Sequence, residues 1–192
     1  KVVVVGLSTG ASLALLATEA VSRYRHEFKP DGLILLSPNF RLANGGADVL
    51  MPERMAPVTE MVMRVVEGGA HEFPLRNEWH RERWTSRYPI EGAVQLMRVL
   101  RALAALRLDD ECLADIPRLL LYTEKDTVVS VAEIERRLKV ARSEGLTAVS
   151  WVNGDQHQLA SRAFSPDKVD ELVNLIDQWV QLQSFSVGGR GN

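Results

Sequence analysis

A single cysteine, Cys112, stands in the whole chain, which excludes an internal disulfide and any cysteine-built metal site. It fits a reducing, cytoplasmic setting. Charge of one sign is lacking too: 23 Lys and Arg face 25 Asp and Glu, for a formal net charge of -2. A nucleic-acid partner needs concentrated basic charge against its phosphates, and here that charge is dispersed, so none is expected. The densest stretch, His80-Arg81-Glu82-Arg83, carries its own acid and reads as a solvated face. No apolar run reaches the roughly eighteen residues of a membrane-spanning helix. Internal repeats and low-complexity tracts are missing as well.

What is present is an ordinary globular composition, 192 residues with 46% hydrophobic and 25% charged, enough for one domain with a sizeable core. Residues 2–5 (VVVV) form a β-branched run that reads as a strand buried on both faces. Residues 11–24, rich in Ala and Leu, read as a helix, and 33–37 (LILLS) as a second buried strand stopped by Pro38 and Asn39. Strand, helix, strand in this order signals a parallel sheet covered by helices. Residues 39–115 interrupt the alternation. They hold amphipathic helical stretches at 57–67 and 90–108, with an irregular segment between them that carries Trp79, Trp84 and Tyr88. That is far too long for an ordinary connection and reads as an inserted helical cap. The alternation resumes with a strand at 118–123 (RLLLYT). Ser130 and Glu133 then form a capping box for a helix running to Gly145. A strand at 147–152 (TAVSWV) follows, and Ser165-Pro166 opens a last helix with Val169, Leu172, Val173, Ile176, Trp179 and Val180 on one face. Residues 184–192 read as a loose tail.

Gly6-Leu7-Ser8-Thr9-Gly10 matches G-x-S-x-G, the nucleophile elbow. The pattern alone arises by chance in roughly one chain in twenty of this length, so its context decides. Here it joins a strand to a helix, where an abrupt turn strains Ser8 and projects its hydroxyl. Gly6 and Gly10 would let strand and helix approach closely. The helix start brings unpaired N–H groups and partial positive charge under the serine, with the Thr9 N–H a natural oxyanion donor. A nucleotide-binding turn would show G-x-G-x-x-G or a following Gly-Lys-Ser/Thr, and neither occurs.

A serine nucleophile needs a base, and the base an orienting acid. In an open parallel sheet such groups lie past the C-terminal ends of strands. Asp126 follows the 118–123 strand and His157 follows the 147–152 strand, giving the chain order Ser8, Asp126, His157. His26 follows a helix, and His71 and His80 fall in the cap. Glu124 is a rival to Asp126, and Asp155 reads as a turn residue beside Gly154. Four of the five methionines, Met51 and Met55 among them, open the cap. They read either as packing against the body or, with Trp79 and Trp84, as walls of an acyl pocket.

GLSTG after a valine strand, LLLYTEKDTVVS, and GDQHQLA before an amphipathic helix together resemble the α/β-hydrolase serine esterases, over nearly the whole chain. The likeness is greatest to carboxylesterase, monoacylglycerol lipase and lysophospholipase-type members, which carry a helical cap. The resemblance implies a Ser8–His157–Asp126 triad, an acyl-enzyme, a small-molecule ester substrate, and no metal or organic cofactor. In that family the elbow follows the fifth strand, so this chain is expected to be the C-terminal part of the fold. Residues 1–38 and 116–183 would then be core, 39–115 cap and 184–192 tail, with the second oxyanion donor upstream. Thioester, amide or C–C hydrolysis on the same fold is the alternative, as is a non-catalytic hydrolase-like binding module. Oligomeric state is left open.

Overall fold

A computed structural model of the chain describes residues 1–25, 29–43, 70–72, 75, 77–141, 146–151, 157–161 and 165–183. In chain order these form β1 (Val3–Leu7), α1 (Thr9–Tyr24), β2 (Gly32–Leu36), β3 (Ala70–Glu72), α2 (Glu78–Arg83), β4 (Arg87–Pro89), α3 (Ile90–Ala105), α4 (Glu111–Ala114), β5 (Arg118–Tyr122), α5 (Val131–Val140) and β6 (Leu146–Ser150). A short 3-10 turn (Pro166–Lys168) then leads into α6 (Val169–Leu182).

Four strands make a parallel sheet in the order β1-β2-β5-β6. Successive side chains on a strand point to opposite faces, and the aliphatic runs of β2 and β5 use both. Leu33, Leu35, Leu120 and Tyr122 face a cluster with Ala11 and Leu15 of α1, Leu100 and Leu103 of α3, Leu113 of α4 and Ile134 of α5. Ile34, Leu119 and Leu121 face the other way, onto Trp151, Leu159, and Leu172 and Trp179 of α6. Helices therefore cover both faces, the arrangement that near-continuous apolar strands require. At the N-terminal end of β5 the buried Arg118 donates Nε to the Ile116 carbonyl at 3.1 Å and a guanidinium N–H to the Leu108 carbonyl. Burial pulls its pKa down to about 10 against the upward pull of the Asp109 charge, so it remains a cation at neutral pH.

The structure departs from the sequence reading at several elements. β1 is not buried on both faces: among the described residues it pairs with β2 alone, and Val5 is 57% exposed. The segment read as irregular contains α2, because the Asn77 side chain accepts from the His80 N–H at 2.8 Å and caps it. β3 and β4 pair antiparallel, an element no periodicity announced. The capping box at α5 is half made. Ser130 Oγ accepts from the Glu133 N–H, but the Glu133 carboxylate turns to Arg136 and Arg137 instead. The helix stops at Val140, five residues before Gly145, which lies outside the described residues. Val173 is 56% exposed and belongs to the outer face of α6. The helix expected at 57–67 and the tail at 184–192 also lie outside the described residues.

Candidate active site

β1 ends at Leu7 and α1 begins at Thr9, so the whole turn between them is Ser8. Its backbone takes φ 56°, ψ -123°, a region that costs a non-glycine residue about 1–3 kcal/mol and persists only where surroundings impose it. Those surroundings are visible. The Ser8 N–H donates to the Leu36 carbonyl at 2.8 Å, and its own carbonyl accepts from the N–H groups of Ala11, Ser12 and Asn39. A serine before a helix ordinarily caps it with its side chain, yet Ser8 makes no such bond and its hydroxyl is left for other use. The Thr9 N–H, first in the helix, has no acceptor among the described residues, as expected for a helix start.

The two motif glycines divide in function. A Cβ on Gly6 would lie 2.5 Å from Ala11 Cα and 2.6 Å from Ala11 N, so strand and helix meet at a distance only glycine allows. A Cβ on Gly10 would meet nothing within 4 Å. The close approach read for both thus belongs to Gly6 alone.

Past the C-terminal end of β5, Asp126 folds back on its own loop. Its Oδ1 accepts from the N–H groups of Val128 and Val129 at 2.8 and 3.0 Å. Oδ2 lies 2.7 Å from His157 Nδ1. Burial works to raise the Asp126 carboxyl, but the bond to His157 and the two backbone donors outweigh it. The net pKa falls below the ordinary 3.8. The carboxylate is therefore ionised and turned toward an imidazole past the end of the neighbouring strand, β6. Because β1, β5 and β6 run parallel, Ser8, Asp126 and His157 all follow the same edge of the sheet.

A family model described as serine aminopeptidase, S33 (Hydrolase_4) matches residues 1–161. The chain belongs to this S33 family. No curated protein sequence matches it. Among solved structures, a monoacylglycerol lipase from Paleococcus ferrophilus superposes with a TM-score of 0.61 at 18% identity, covering 96% of this chain and 68% of that one. A soluble variant of monoglyceride lipase from Saccharomyces cerevisiae gives 0.57 at 14%, covering 94% and 64%. Mouse α/β hydrolase domain-containing protein 10 gives 0.55 at 17%, covering 95% and 62%. At such identities the likeness establishes the fold, that of an α/β hydrolase, and this S33 chain spans about two thirds of the length of those proteins.

The other candidate residues of the S33 chain sit as follows. Glu124 is exposed and its carboxylate accepts from Ser150 Oγ at 3.1 Å. Trp79 stacks under the Arg83 guanidinium at 5.2 Å, and the half-exposed Trp84 meets the buried His80 ring edge-on at 5.5 Å. Both contacts stay within the α2 segment. Met51, Met55, Asp155 and His26 lie outside the described residues, and His71 falls in β3. One residue near the serine escaped sequence reading. Asn39, read only as a strand stop, is 2% exposed and donates its N–H to the Ser8 carbonyl at 3.2 Å. Two residues earlier, Ser37 has φ 42°, a kink that Pro38 does not announce.

Among the described residues no helix is long and apolar enough to cross a membrane.

Proposed function

We propose that this chain carries the catalytic centre of a serine hydrolase acting on carboxylic esters of small or medium acyl groups, monoglyceride-like esters included. Ser8 Oγ would attack the ester carbonyl while His157 takes its proton. The Asp126 carboxylate, accepting from Nδ1–H, holds the imidazole in the tautomer whose Nε2 is free to act as base. Charge developing on the carbonyl oxygen would be met by the Thr9 N–H at the positive end of α1. The alcohol leaves with the proton held on His157. Water, deprotonated by the same imidazole, then releases the acid and restores Ser8. A cap within residues 39–115 would roof the acyl group, with Trp79 and Trp84 toward its lining.

The observation that carries this reading is the conjunction of a strained, uncapped serine with a buried carboxylate paired to an imidazole at one sheet edge. Strain of this kind is kept where a function needs it. The names of the superposing lipases lend the ester its place as first substrate class. The test is a fluorophosphonate probe with the adduct located by peptide mass spectrometry. The expected result is a single adduct on Ser8, absent from Ser8→Ala together with all ester hydrolysis. Hydrolysis that persists undiminished in Ser8→Ala would overturn the proposal.

The description of the matching family, serine aminopeptidase, favours an amide as second reading. Rates on matched ester, thioester and anilide substrates of one acyl group separate the two: the ester reading expects the ester to be turned over fastest relative to its uncatalysed hydrolysis.

A further inference from the structure

Resting on the serine-hydrolase reading above, we propose that Asn39 is a positioning residue for the oxyanion donor, acting through the side chain of Thr9. Asn39 touches the elbow at three points. Its N–H donates to the Ser8 carbonyl at 3.2 Å, its carbonyl accepts from Ser12 Oγ at 2.6 Å, and its Nδ2 donates to Thr9 Oγ1 at 3.4 Å. No other residue outside the elbow turn and its helix bonds to Ser8, Thr9 and Ser12 together among the described residues. The amide is buried, and its Oδ1 has no partner among the described residues. Such a group destabilises a fold unless it serves something else.

Asn39 is itself held from both sides. The segment 37–43 is tied to the sheet by the Ser37 N–H on the Leu121 carbonyl at 2.7 Å. Further along, Leu42 bridges antiparallel to Val129, Ala43 N–H donates to the Val128 carbonyl at 2.9 Å, and Ser130 N–H donates to the Arg41 carbonyl at 2.8 Å. Val128 and Val129 are the residues whose N–H groups hold Asp126. One strap therefore runs from the elbow to the acid loop, with Asn39 at its serine end. The Thr9 N–H gains its value only if it points at the oxygen that becomes charged. Threonine's orientation at the first helical position is what the Asn39 amide restrains.

The test is a double-mutant cycle in the full chain, with Asn39→Leu removing the donor at similar size and Thr9→Val removing the acceptor while keeping the backbone N–H. Each single variant is expected to lower kcat about 10- to 100-fold, the scale of a misplaced catalytic group, with KM within about threefold. The double variant should be no worse than the poorer single one. The pH profile of kcat/KM should keep its shape, because Asp126 and His157 are untouched. Wild-type kcat in Asn39→Leu, or losses that multiply in the double variant, would overturn the proposal. If Asn39→Leu does not fold, Thr9→Val decides alone: unchanged kcat there overturns it as well. Ser8→Ala run in parallel keeps the two readings apart, since loss of turnover in Ser8→Ala with full turnover in Asn39→Leu sinks only the role of Asn39.

Discussion

The two arms of the candidate site are built by different means. On the serine arm the main chain does the work: a positive-φ turn, four backbone hydrogen bonds to Ser8, and a glycine where strand and helix nearly touch. On the acid–histidine arm the decisive contacts are made by side chains on loops, Asp126 Oδ1 to two N–H groups and Oδ2 to His157. Main-chain geometry resists substitution by steric strain, whereas a side-chain pair is lost at once when one atom changes. The serine arm should thus be sensitive in folding and the acid–histidine arm in chemistry, and substitutions that are small in volume separate the two.

The largest contrast is expected from Asp126→Asn. The amide fills the same space, but its NH2 facing Nδ1 forces the imidazole proton onto Nε2, the nitrogen that accepts from Ser8 in the proposed mechanism. A loss in kcat of roughly 10^4-fold is expected, the scale for a mis-set tautomer, with native secondary structure by circular dichroism. The same variant has a signature in stability. The folded Asp126 pKa is lowered, so its ionised form stabilises the fold at all pH above the unfolded value near 3.9. That contribution is lost as pH falls through the lower folded value. Denaturant titrations from pH 5 downward should show wild type losing stability more steeply than Asp126→Asn. Equal slopes would mean that the carboxylate bonds at this loop do not couple to folding.

Next in size is Gly6→Ala, the same test applied to the serine arm. The added Cβ would sit 2.5 Å from a backbone atom of Ala11, which cannot swing aside as a side-chain end could. The strand–helix junction must open, and a destabilisation of about 1–3 kcal/mol or more is expected. It should appear as a lower denaturation midpoint, with activity falling in step because Ser8 moves with the junction. A variant with wild-type midpoint and low activity would assign strain to Ser8 without any role in stability, and would erase the distinction between the arms.

The legibility of the molecule follows the same division. The aliphatic runs of β2 and β5 were readable because a strand buried on both faces has no polar position to spare, and both faces are filled. β1 has a similar composition and a different fate. Its valines cannot report how many neighbours the strand has, and Val5 emerges exposed. The turn at Ser8 was legible because a strand and a helix that meet so closely need a glycine at a fixed offset. Asp126 and His157 could be located only to loops, since strand alternation says which edge a loop occupies and not how its side chains turn. Asn39 was invisible for a sharper reason: its contacts join residues 27 to 31 positions away in sequence, and no local pattern encodes them. Leu100, Leu103 and Leu113 pack in the same cluster as α1 and the sheet, a partnership that helical periodicity alone does not name.

The smallest expected effect is the most discriminating for the motif itself. Gly10 shares the G-x-S-x-G pattern with Gly6, but it occupies the second position of α1, exposed, with open space where a Cβ would go. Alanine in a helix is favoured over glycine by about 0.5–1 kcal/mol, because glycine surrenders more backbone freedom on folding. Gly10→Ala should therefore raise the denaturation midpoint slightly while Gly6→Ala lowers it, from two substitutions of identical chemistry four residues apart. Turnover in Gly10→Ala should stay near wild type if steric approach within this chain is the sole demand on the motif. A large loss of turnover at unchanged stability would place the demand on Gly10 elsewhere, in the space above the helix start where a substrate would lie, and would make it part of the chemical arm.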